Sequence, residues 1–176
     1  VDEIMATYET DGKLEIENKE IISKVICIGD INKPVLLEGK LPESADECVV
    51  EENFLRENNM QIGDTINLKI DNTTNDDGEE IEYLKNSNLK VVGTVQSPLY
   101  ISRDRGTTSL GSGKISYYIY IAKENINAEQ IYTNIYIKVK DIQNYTTGTD
   151  EYEEYIEQVK NNIEQIKEER EKARYD

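Results

Sequence analysis

The stretch from Arg103 to Ser116, RDRGTTSLGSGKIS, places three glycines and a lysine between two apolar runs, a composition typical of a phosphate-binding loop. A P-loop requires the spacing GxxxxGK[ST], because backbone N–H groups wrap the phosphates, the lysine reaches them and a hydroxyl holds Mg²⁺. Counting back from Gly113 and Lys114 puts Thr108 at the first glycine position and Ile115 at the hydroxyl position. The loop therefore does not predict a nucleotide site, and we expect no cofactor.

A second loop, DNTTNDDGEEIEYL, begins at Asp71 and has the acidic composition of a calcium loop. If Gly78 is the invariant glycine of an EF-hand loop, Thr73 takes the first ligand position and Leu84 takes that of the bidentate glutamate. Both positions fail, so the sequence favours a solvated hairpin loop with Asp77-Gly78 as its turn. Loose association of calcium with the carboxylates is the alternative, and we expect no specific metal site.

Histidine is absent from the 176 residues, which removes Ser-His-Asp and Cys-His catalysis, His-ligated zinc and imidazole pH switches. Cys27 and Cys48 lie in apolar, strand-like runs, where a free cysteine acts as a small buried hydrophobe. A disulfide between them is the alternative. With 36 carboxylates, acidic pairs are too common to indicate glycosidase chemistry. No nucleophile has a visible base, so we expect no catalytic residues and no enzyme activity.

The net charge of −16 makes direct binding to nucleic acid or to anionic lipid unfavourable. No apolar run approaches the roughly 20 residues that cross a bilayer, so we expect no membrane-spanning segment in this chain. Charged residues make up 32% of the sequence, yet the apolar 37% is sufficient for a buried core. The composition thus indicates a folded, acidic domain.

The glycine loop carries the best candidate for a partner-binding edge, formed by Tyr100, Arg103 and Arg105. Arginine is uncommon in this acidic chain, and its planar fork suits carboxylate or phosphate groups on a partner. Three glycines suit a mobile or tightly turned surface loop, and we expect residues 104–113 to be mobile. In the alternative, the arginines pair with the domain's own acidic residues.

Hydrophobic periodicity predicts a strand-rich chain. Residues 4–8 and 20–28 predict two strands, with Asp11-Gly12 as the turn signal of a hairpin or meander. A short helix is expected at about residues 51–58, with Phe54 and Leu55 facing inward. Further strands are expected at residues 48–51, 65–70, 89–101 with a break at Pro98, 115–122 and 132–142.

From Asp150 onward the pattern changes from that of strands to that of an amphipathic helix. The apolar side chains recur at i, i+3, i+4 and i+7, which predicts one helix face. This pattern has two compatible interpretations: the stripe packs on the sheet, and the polar end of the helix continues into a longer rod. Its members are Tyr152, Tyr155, Ile156, Val159, Ile163 and Ile166.

Two segments carry a family resemblance. The first, LLEGKLPESADECVVEENFLRENNMQIGDTINL from Leu36, has the pattern EG[RK]LPxxxxExx[VL], then a helix, then [IV]GDx[IVL]. The second, LKVVGTVQSPLYISRDRGTTSLGSGKISYYIYI from Leu89, looks like the matching later segment. Together they resemble the MacB/FtsX-like permeases, the membrane subunits of a class of ABC transporters, and their large Gram-positive members in particular. The motif residues, for which we expect an architectural role, are Glu38, Gly39, Leu41, Pro42, Glu47, Gly63 and Asp64.

The resemblance implies an α+β fold related to the MacB periplasmic core domain. Residues 1–34 and 114–176 would form a mixed α/β subdomain that includes the C-terminal helix, and residues 35–113 would form a β-rich subdomain. The family pattern also has a strand and a helix ahead of residue 1, so we expect the chain to be a piece of a longer protein and its first subdomain to be incomplete. The helix at the end is expected to continue into a coiled-coil stalk.

The function implied by the resemblance is that of a non-catalytic domain on the extracellular face of the cell membrane. It would couple ATP-driven motion of the permease to an extracellular substrate or partner, such as a protein or peptide. The cytoplasmic ATPase subunit is a partner of the parent permease and does not contact this domain. The alternative is a ligand-sensing or substrate-binding domain for a peptide, an antibiotic or a lipid-linked molecule, which a deep apolar pocket would favour.

Overall fold

The computed structural model describes residues 1–17, 19–74, 78–100, 104–127 and 132–175. The fold is mixed α+β with a long C-terminal helix, as the sequence predicts. The strands are β1 (Glu3–Thr7), β2 (Glu9–Ile16), β3 (Lys19–Cys27), β4 (Val35–Gly39), β5 (Glu47–Glu51), β6 (Thr65–Lys69), β7 (Thr73–Thr74), β8 (Glu80–Ile81), β9 (Asn88–Gln96), β10 (Tyr117–Ile121) and β11 (Asn134–Lys138). The α-helices are α1 (Glu52–Glu57) and α2 (Asp150–Tyr175), and single 3₁₀ turns occupy Lys123–Asn125 and Ile142–Asn144.

Six of these strands form a closed ring of hydrogen-bonded neighbours. The largest sheet has the order β4-β9-β5-β10-β3-β2-β6, and β6 pairs in turn with β9. The ring β9-β5-β10-β3-β2-β6 therefore closes on itself as a β-barrel, with β5–β9 and β3–β10 parallel and its other pairs antiparallel. Closure removes sheet edges, and β4 alone is attached to the outside of the ring, beside β9.

Strand β9 is shared between two neighbours on the same side. Its first residues pair with β6, in the register Ile66 opposite Leu89, and its later residues pair with β4, in the register Val35 opposite Gln96. On its other side it pairs with β5 along most of its length. This long strand consequently joins the barrel to the outer strand β4.

Alternation along the strands separates an interior cluster from an outer one. On β10, Ile119 and Ile121 belong to the interior cluster, while Tyr118 and Tyr120 belong to a second buried cluster on the opposite face. Strand β6 shows the simple alternation expected from its sequence, with Ile66 and Leu68 buried. Burial on both faces of β10 explains why its sequence is an almost continuous apolar run.

The expected turn at Asp11-Gly12 is wrong, because both residues lie within β2. The hairpin between β2 and β3 instead reverses after Glu17, which has a φ of +48°. Gly12 is closely packed: a Cβ there would lie 2.7 Å from Leu68 Cδ1 and 3.0 Å from Val25 Cγ2, so these side chains would have to shift. The glycine that looks like a turn signal thus makes room for side chains inside the barrel.

The short helix α1 is confirmed, with Phe54 fully buried and Leu55 partly buried against the interior cluster. The Asn58 side chain ends the helix by donating a hydrogen bond from Nδ2 to the Phe54 carbonyl at 2.8 Å. Asn59 follows with a φ of +52°, a conformation that asparagine tolerates better than most residues. The Asn-Asn pair therefore terminates the helix as its sequence predicts.

The chain divides into two compact units, Met5–Ile135 and a second unit made of Val1–Ile4 and Tyr136–Asp176. This division differs from the expected boundaries at 34/35 and 113/114. Strands of the proposed 35–113 subdomain, such as β5 and β6, alternate in the barrel with β2, β3 and β10 from outside that range. Closing the barrel requires all of these strands, so residues 35–113 do not form a separate sheet.

The second unit contains α2, which begins at Asp150 as predicted. The apolar stripe is half-buried from Tyr152 to Ile163, whereas Ile166 is 56% exposed. Tyr155 stacks on Tyr145 with 4.6 Å between ring centroids and donates its hydroxyl to the Lys140 carbonyl at 2.9 Å. Within the residues that the structure describes, no helix combines the length and apolar character needed to cross a membrane.

Candidate functional site

The first half of the family-like motif, EGKLP, is paired with β9. Gly39 is the last residue of β4, has a φ of +79° and stands opposite Gly93 in the β4–β9 register. The next residue, Lys40, donates its backbone N–H to the Val92 carbonyl at 3.0 Å. The EGKLP segment is therefore fixed to β9 through its backbone.

The second half of the motif reaches the same part of β9. The Gly63 N–H donates to the Val91 carbonyl at 2.8 Å, and the Val91 N–H donates to the Asp64 carbonyl at 2.8 Å. The Asp64 carboxylate accepts the Gln61 N–H at 2.9 Å, which holds the turn that precedes β6. The two motif halves, Glu38–Pro42 and Ile62–Asp64, thus meet at Val91–Gly93.

The loop between β4 and β5 is closed by Glu47, the first residue of β5. Its carboxylate accepts the Glu43 N–H at 2.9 Å and the Lys40 ammonium at 2.9 Å. These interactions lower the pKa of Glu47, with the backbone hydrogen bond as the larger cause. Leu41 packs against the outer cluster, and Pro42 follows it in a segment without regular secondary structure. Glu47 enters the strand as predicted, in an architectural contact.

Glu38 contributes through its backbone, since its side chain is exposed and its carbonyl oxygen faces Gly93. The charge of Glu38 has no buried partner to satisfy, in contrast to that of Glu47. The two glutamates of the motif are consequently not equivalent in this fold.

Arg105 is an internal residue, which corrects its assignment to a partner-contacting edge. Its Nε donates to Glu51 Oε2 at 2.7 Å, and its Nη2 donates to Glu51 Oε1. The Arg105 and Glu51 side chains are only 12% and 5% exposed. A guanidinium fork that both binds and covers a buried carboxylate has little surface left for a partner. Arg103 lies outside the described residues.

Tyr100 is part of the same buried arrangement. Its ring stacks on Tyr118 with 5.4 Å between centroids and an interplanar angle of 9°, and the Arg105 guanidinium carbon lies 5.8 Å from the Tyr118 centroid. Burial raises the pKa of the Tyr118 hydroxyl. Tyr100 and Arg105 thus both pack on the ring of Tyr118.

Behind the stack, Ser97 organises the end of β9. Its hydroxyl lies 2.6 Å from the Tyr120 hydroxyl and accepts the Leu99 N–H at 3.2 Å, while its own N–H donates to the Tyr118 hydroxyl at 3.0 Å. Neither Ser97 nor Glu51 is singled out by a motif. The available signal was weak: Glu51 is an acidic residue on the same strand face as buried Val49.

The glycine loop contains a tight turn. Thr107 and Lys114 form an antiparallel bridge, and the Gly113 N–H donates to the Leu110 carbonyl at 2.9 Å. All three glycines, Gly106, Gly111 and Gly113, have positive φ angles. Their conformation accounts for the glycine content without a phosphate ligand.

A polar cleft of about 370 Å³ opens beside the Glu51–Arg105 pair. Glu57 in this cleft accepts the Tyr117 hydroxyl at 2.7 Å, and burial followed by this hydrogen bond raises the pKa of Tyr117. The Glu51 and Glu57 carboxylates therefore both accept hydrogen bonds from side-chain donors. The cleft is lined by Glu51, Asn53, Arg56, Glu57, Arg105, Ser116 and Tyr117.

The two cysteines are both buried within the described residues. Cys27 and Cys48 are free and buried, so the disulfide alternative is not realised. Burial raises the pKa of the Cys27 thiol to about 11 and raises that of Cys48 as well, which leaves both as unreactive thiols at neutral pH.

In the acidic segment, β7 and β8 pair as a hairpin, and Asp77 of its expected turn lies outside the described residues. The described part of the chain holds no group of acidic or cysteine side chains arranged for a metal ion.

No protein-family model matches this chain, and comparison with curated proteins finds no significant match.

Proposed function

We propose that this chain is a non-catalytic extracellular domain of a MacB/FtsX-like ABC transporter permease. It would couple ATP-driven motion of the permease to an extracellular substrate or protein partner. The observation that carries the proposal is the convergence of EGKLP and IGD on Val91–Gly93 of β9. Because both halves of the motif contact the same residues of β9, we infer that they stabilise one scaffold.

The chemistry of the motif supports a scaffold in preference to an active site. Gly39 and Gly63 act through backbone conformation, and Asp64 and Glu47 accept backbone N–H groups. Such contacts fix strands and turns and leave no nucleophile or base directed at a ligand. A rigid barrel is suited to being displaced as one body, which is the mechanism that we assign to the domain.

The helix α2 provides the element that would carry the motion. It runs for 26 residues, and its charged residues 167–174 are exposed. An α-helix of this length spans roughly 39 Å, at about 1.5 Å per residue. In the proposed mechanism α2 continues toward the rest of the permease and transmits its displacement.

The alternative of a ligand-sensing domain would use the polar cleft beside Arg105. Its volume of about 370 Å³ falls within the roughly 300–1,000 Å³ of small-molecule sites. Its lining is mainly charged and polar, however, and Glu51, Arg105 and Glu57 already bind one another or Tyr117. These interactions favour the coupling function.

The location can be tested by cysteine labelling of the intact permease in its own cells. The Glu43 side chain is 76% exposed, so Glu43→Cys supplies a reactive thiol on the barrel surface. Cys27 and Cys48 are 4% and 0% exposed, so the unsubstituted protein is a matched control. A membrane-impermeant maleimide should label Glu43→Cys in intact cells and leave the control unlabelled. Labelling that appears only after the cells are lysed would place the domain inside the cell and remove the proposal.

A further inference from the structure

The polar cleft beside the Glu51–Arg105 pair is electrically balanced, unlike the domain as a whole. Its lining carries two carboxylates, Glu51 and Glu57, and two guanidinium groups, Arg56 and Arg105. The formal charge of the lining is therefore zero, in a chain whose net charge is −16. A balanced lining gives neither an anion nor a cation a complementary surface, so the electrostatics of the cleft favour a neutral ligand.

The carboxylates of the cleft already have partners. Arg105 binds both carboxylate oxygens of Glu51, and Glu57 accepts the Tyr117 hydroxyl at 2.7 Å. A charged ligand would compete with the largely buried Glu51–Arg105 pair, and breaking that pair leaves a buried charge without its partner. A hydroxyl group both donates and accepts hydrogen bonds, so it binds the remaining lone pairs of a carboxylate without breaking the existing contacts. The cleft is thus suited to a ligand that is rich in hydroxyl groups.

Helix α1 supplies one wall of the cleft with planar polar side chains. Asn53, Arg56 and Glu57 are three and four residues apart and so lie on one face of the helix. Arg56 donates from Nη2 to Asn53 Oδ1, which orients the amide. Among the described residues, the Asn53 Nδ2 group and the Ser116 hydroxyl have no hydrogen-bond partner, so both are available to a ligand. An amide, a guanidinium and a carboxylate each present two adjacent polar atoms, which suits them to neighbouring hydroxyl groups on a sugar ring.

We propose that the polar cleft binds a saccharide of one or two pyranose rings through its hydroxyl groups. Asn53, Arg56, Glu57 and Ser116 form hydrogen bonds with these hydroxyls, and the half-buried ring of Tyr117 supplies an apolar surface for the C–H groups of the sugar. The cleft volume of about 370 Å³ is near the lower end of the roughly 300–1,000 Å³ of small-molecule sites, which limits the ligand to this size. The site goes beyond the proposed transporter function and does not depend on it.

Titration of the isotope-labelled 176-residue chain, followed by NMR of its amide signals, tests the binding. The probes are glucose, N-acetylglucosamine and cellobiose, each up to about 50 mM, a range that covers millimolar dissociation constants. The expected result is a saturable shift of the signals of residues 53–57 and 116–117 with at least one probe. Glycerol at the same concentration is the control for non-specific hydroxyl effects and should give no saturation. The proposal is overturned if no sugar gives a saturable shift, if glycerol reproduces the shifts, or if acetate or ethylammonium binds at these residues more tightly than the sugars.

Variants of the lining locate the site. Asn53→Ala removes a donor from the cleft wall and should weaken sugar binding by about fivefold to tenfold, as expected for one lost hydrogen bond. Ser116→Ala should weaken it similarly and serves as the second variant if Asn53→Ala does not fold, which a circular-dichroism melt checks. Asn67→Ala is the matched control, because Asn67 is an exposed asparagine on β6 that does not line the cleft, and its affinity for the sugar should not change. Lining variants that bind as tightly as Asn67→Ala would overturn the assignment to this cleft.

Discussion

Gly39 and Gly93 lie opposite each other on β4 and β9, and neither position has room for a side chain. A Cβ on Gly93 would be 2.5 Å from the Glu38 carbonyl oxygen and 2.7 Å from that of Lys40. A Cβ on Gly39 would overlap the Val92 carbonyl oxygen and lie 2.8 Å from the Gly93 Cα. The close approach of two backbones is what joins the motif to the barrel.

Gly39→Ala should consequently lower the free energy of unfolding by about 2 to 4 kcal/mol, combining left-handed backbone strain with overpacking against main-chain atoms that cannot rotate away. Chemical denaturation followed by circular dichroism measures this change. Gly78→Ala is the matched control, because Gly78 also has a positive φ of +82° but has no atom within 4 Å of the added Cβ. Equal losses of unfolding free energy for the two variants would show that the close approach of β4 and β9 does not contribute to stability.

Ser23 and Ser97 are both buried serines with opposite environments. The Ser23 hydroxyl has no hydrogen-bond partner among the described residues, whereas the Ser97 hydroxyl contacts Tyr120 and the Leu99 N–H. Ser23→Ala should leave stability unchanged or raise it by up to about 1 kcal/mol, and Ser97→Ala should lower it by about 1 to 3 kcal/mol. Thermal denaturation of the two variants measures this difference. A larger loss of stability for Ser23→Ala than for Ser97→Ala would contradict the assignment.

The buried Glu51–Arg105 pair should behave as a coupled unit. Glu51→Gln or Arg105→Met removes one charge and leaves the other buried, which should cost about 3 to 5 kcal/mol. The double variant should lose clearly less than the sum of the single losses, because neither charge is then left unpaired. A double-mutant cycle in urea measures the coupling. Additive losses would mean that the two side chains do not depend on each other.

Alkaline pH should destabilise the fold through its buried thiols. The pKa of Cys27 is raised from 9.0 to about 11 in the folded chain, so the unfolded chain loses this proton first as the pH rises. The corresponding stability is fully present below pH 9 and is lost between pH 9 and 11, by roughly 2 to 3 kcal/mol. Cys27→Ala should flatten the decrease of unfolding free energy over this interval, whatever its effect at neutral pH. An unchanged slope would contradict the burial of Cys27.

Local patterns were sufficient to predict several elements of the fold. The alternation of Ile66 and Leu68 predicts β6, and the stripe that begins at Tyr152 predicts α2, because each pattern reports one buried face. The barrel could not be predicted in this way, since closure depends on which strands pair across long stretches of sequence. Gly12 illustrates the difficulty, because its neighbours Leu68 and Val25 are distant in sequence.

The sequence predicted which residues belong to the candidate site but not how they are arranged in space. The motif residues around Gly39 and Asp64 could be named from the sequence, but their meeting on β9 requires the β4–β9 pairing. Arg105 was singled out as a rare cation, and the sequence left open whether it meets a partner or an internal acid. Its pairing with Glu51 depends on the packing of residue 105 against β5 and β10, which no local sequence pattern indicates.

The central claim, that the barrel moves as a rigid body when the permease uses ATP, is tested most directly by distances in the intact transporter in nanodiscs. Glu43→Cys and Arg56→Cys place labels on two side chains that are 76% and 74% exposed on the barrel, while the native cysteines are buried. The account predicts that the distance between a label at residue 43 and the lipid surface changes when ATP binds. It also predicts that the distance between the labels at residues 43 and 56 stays constant. A residue 43-to-membrane distance that is the same with and without ATP would contradict the account.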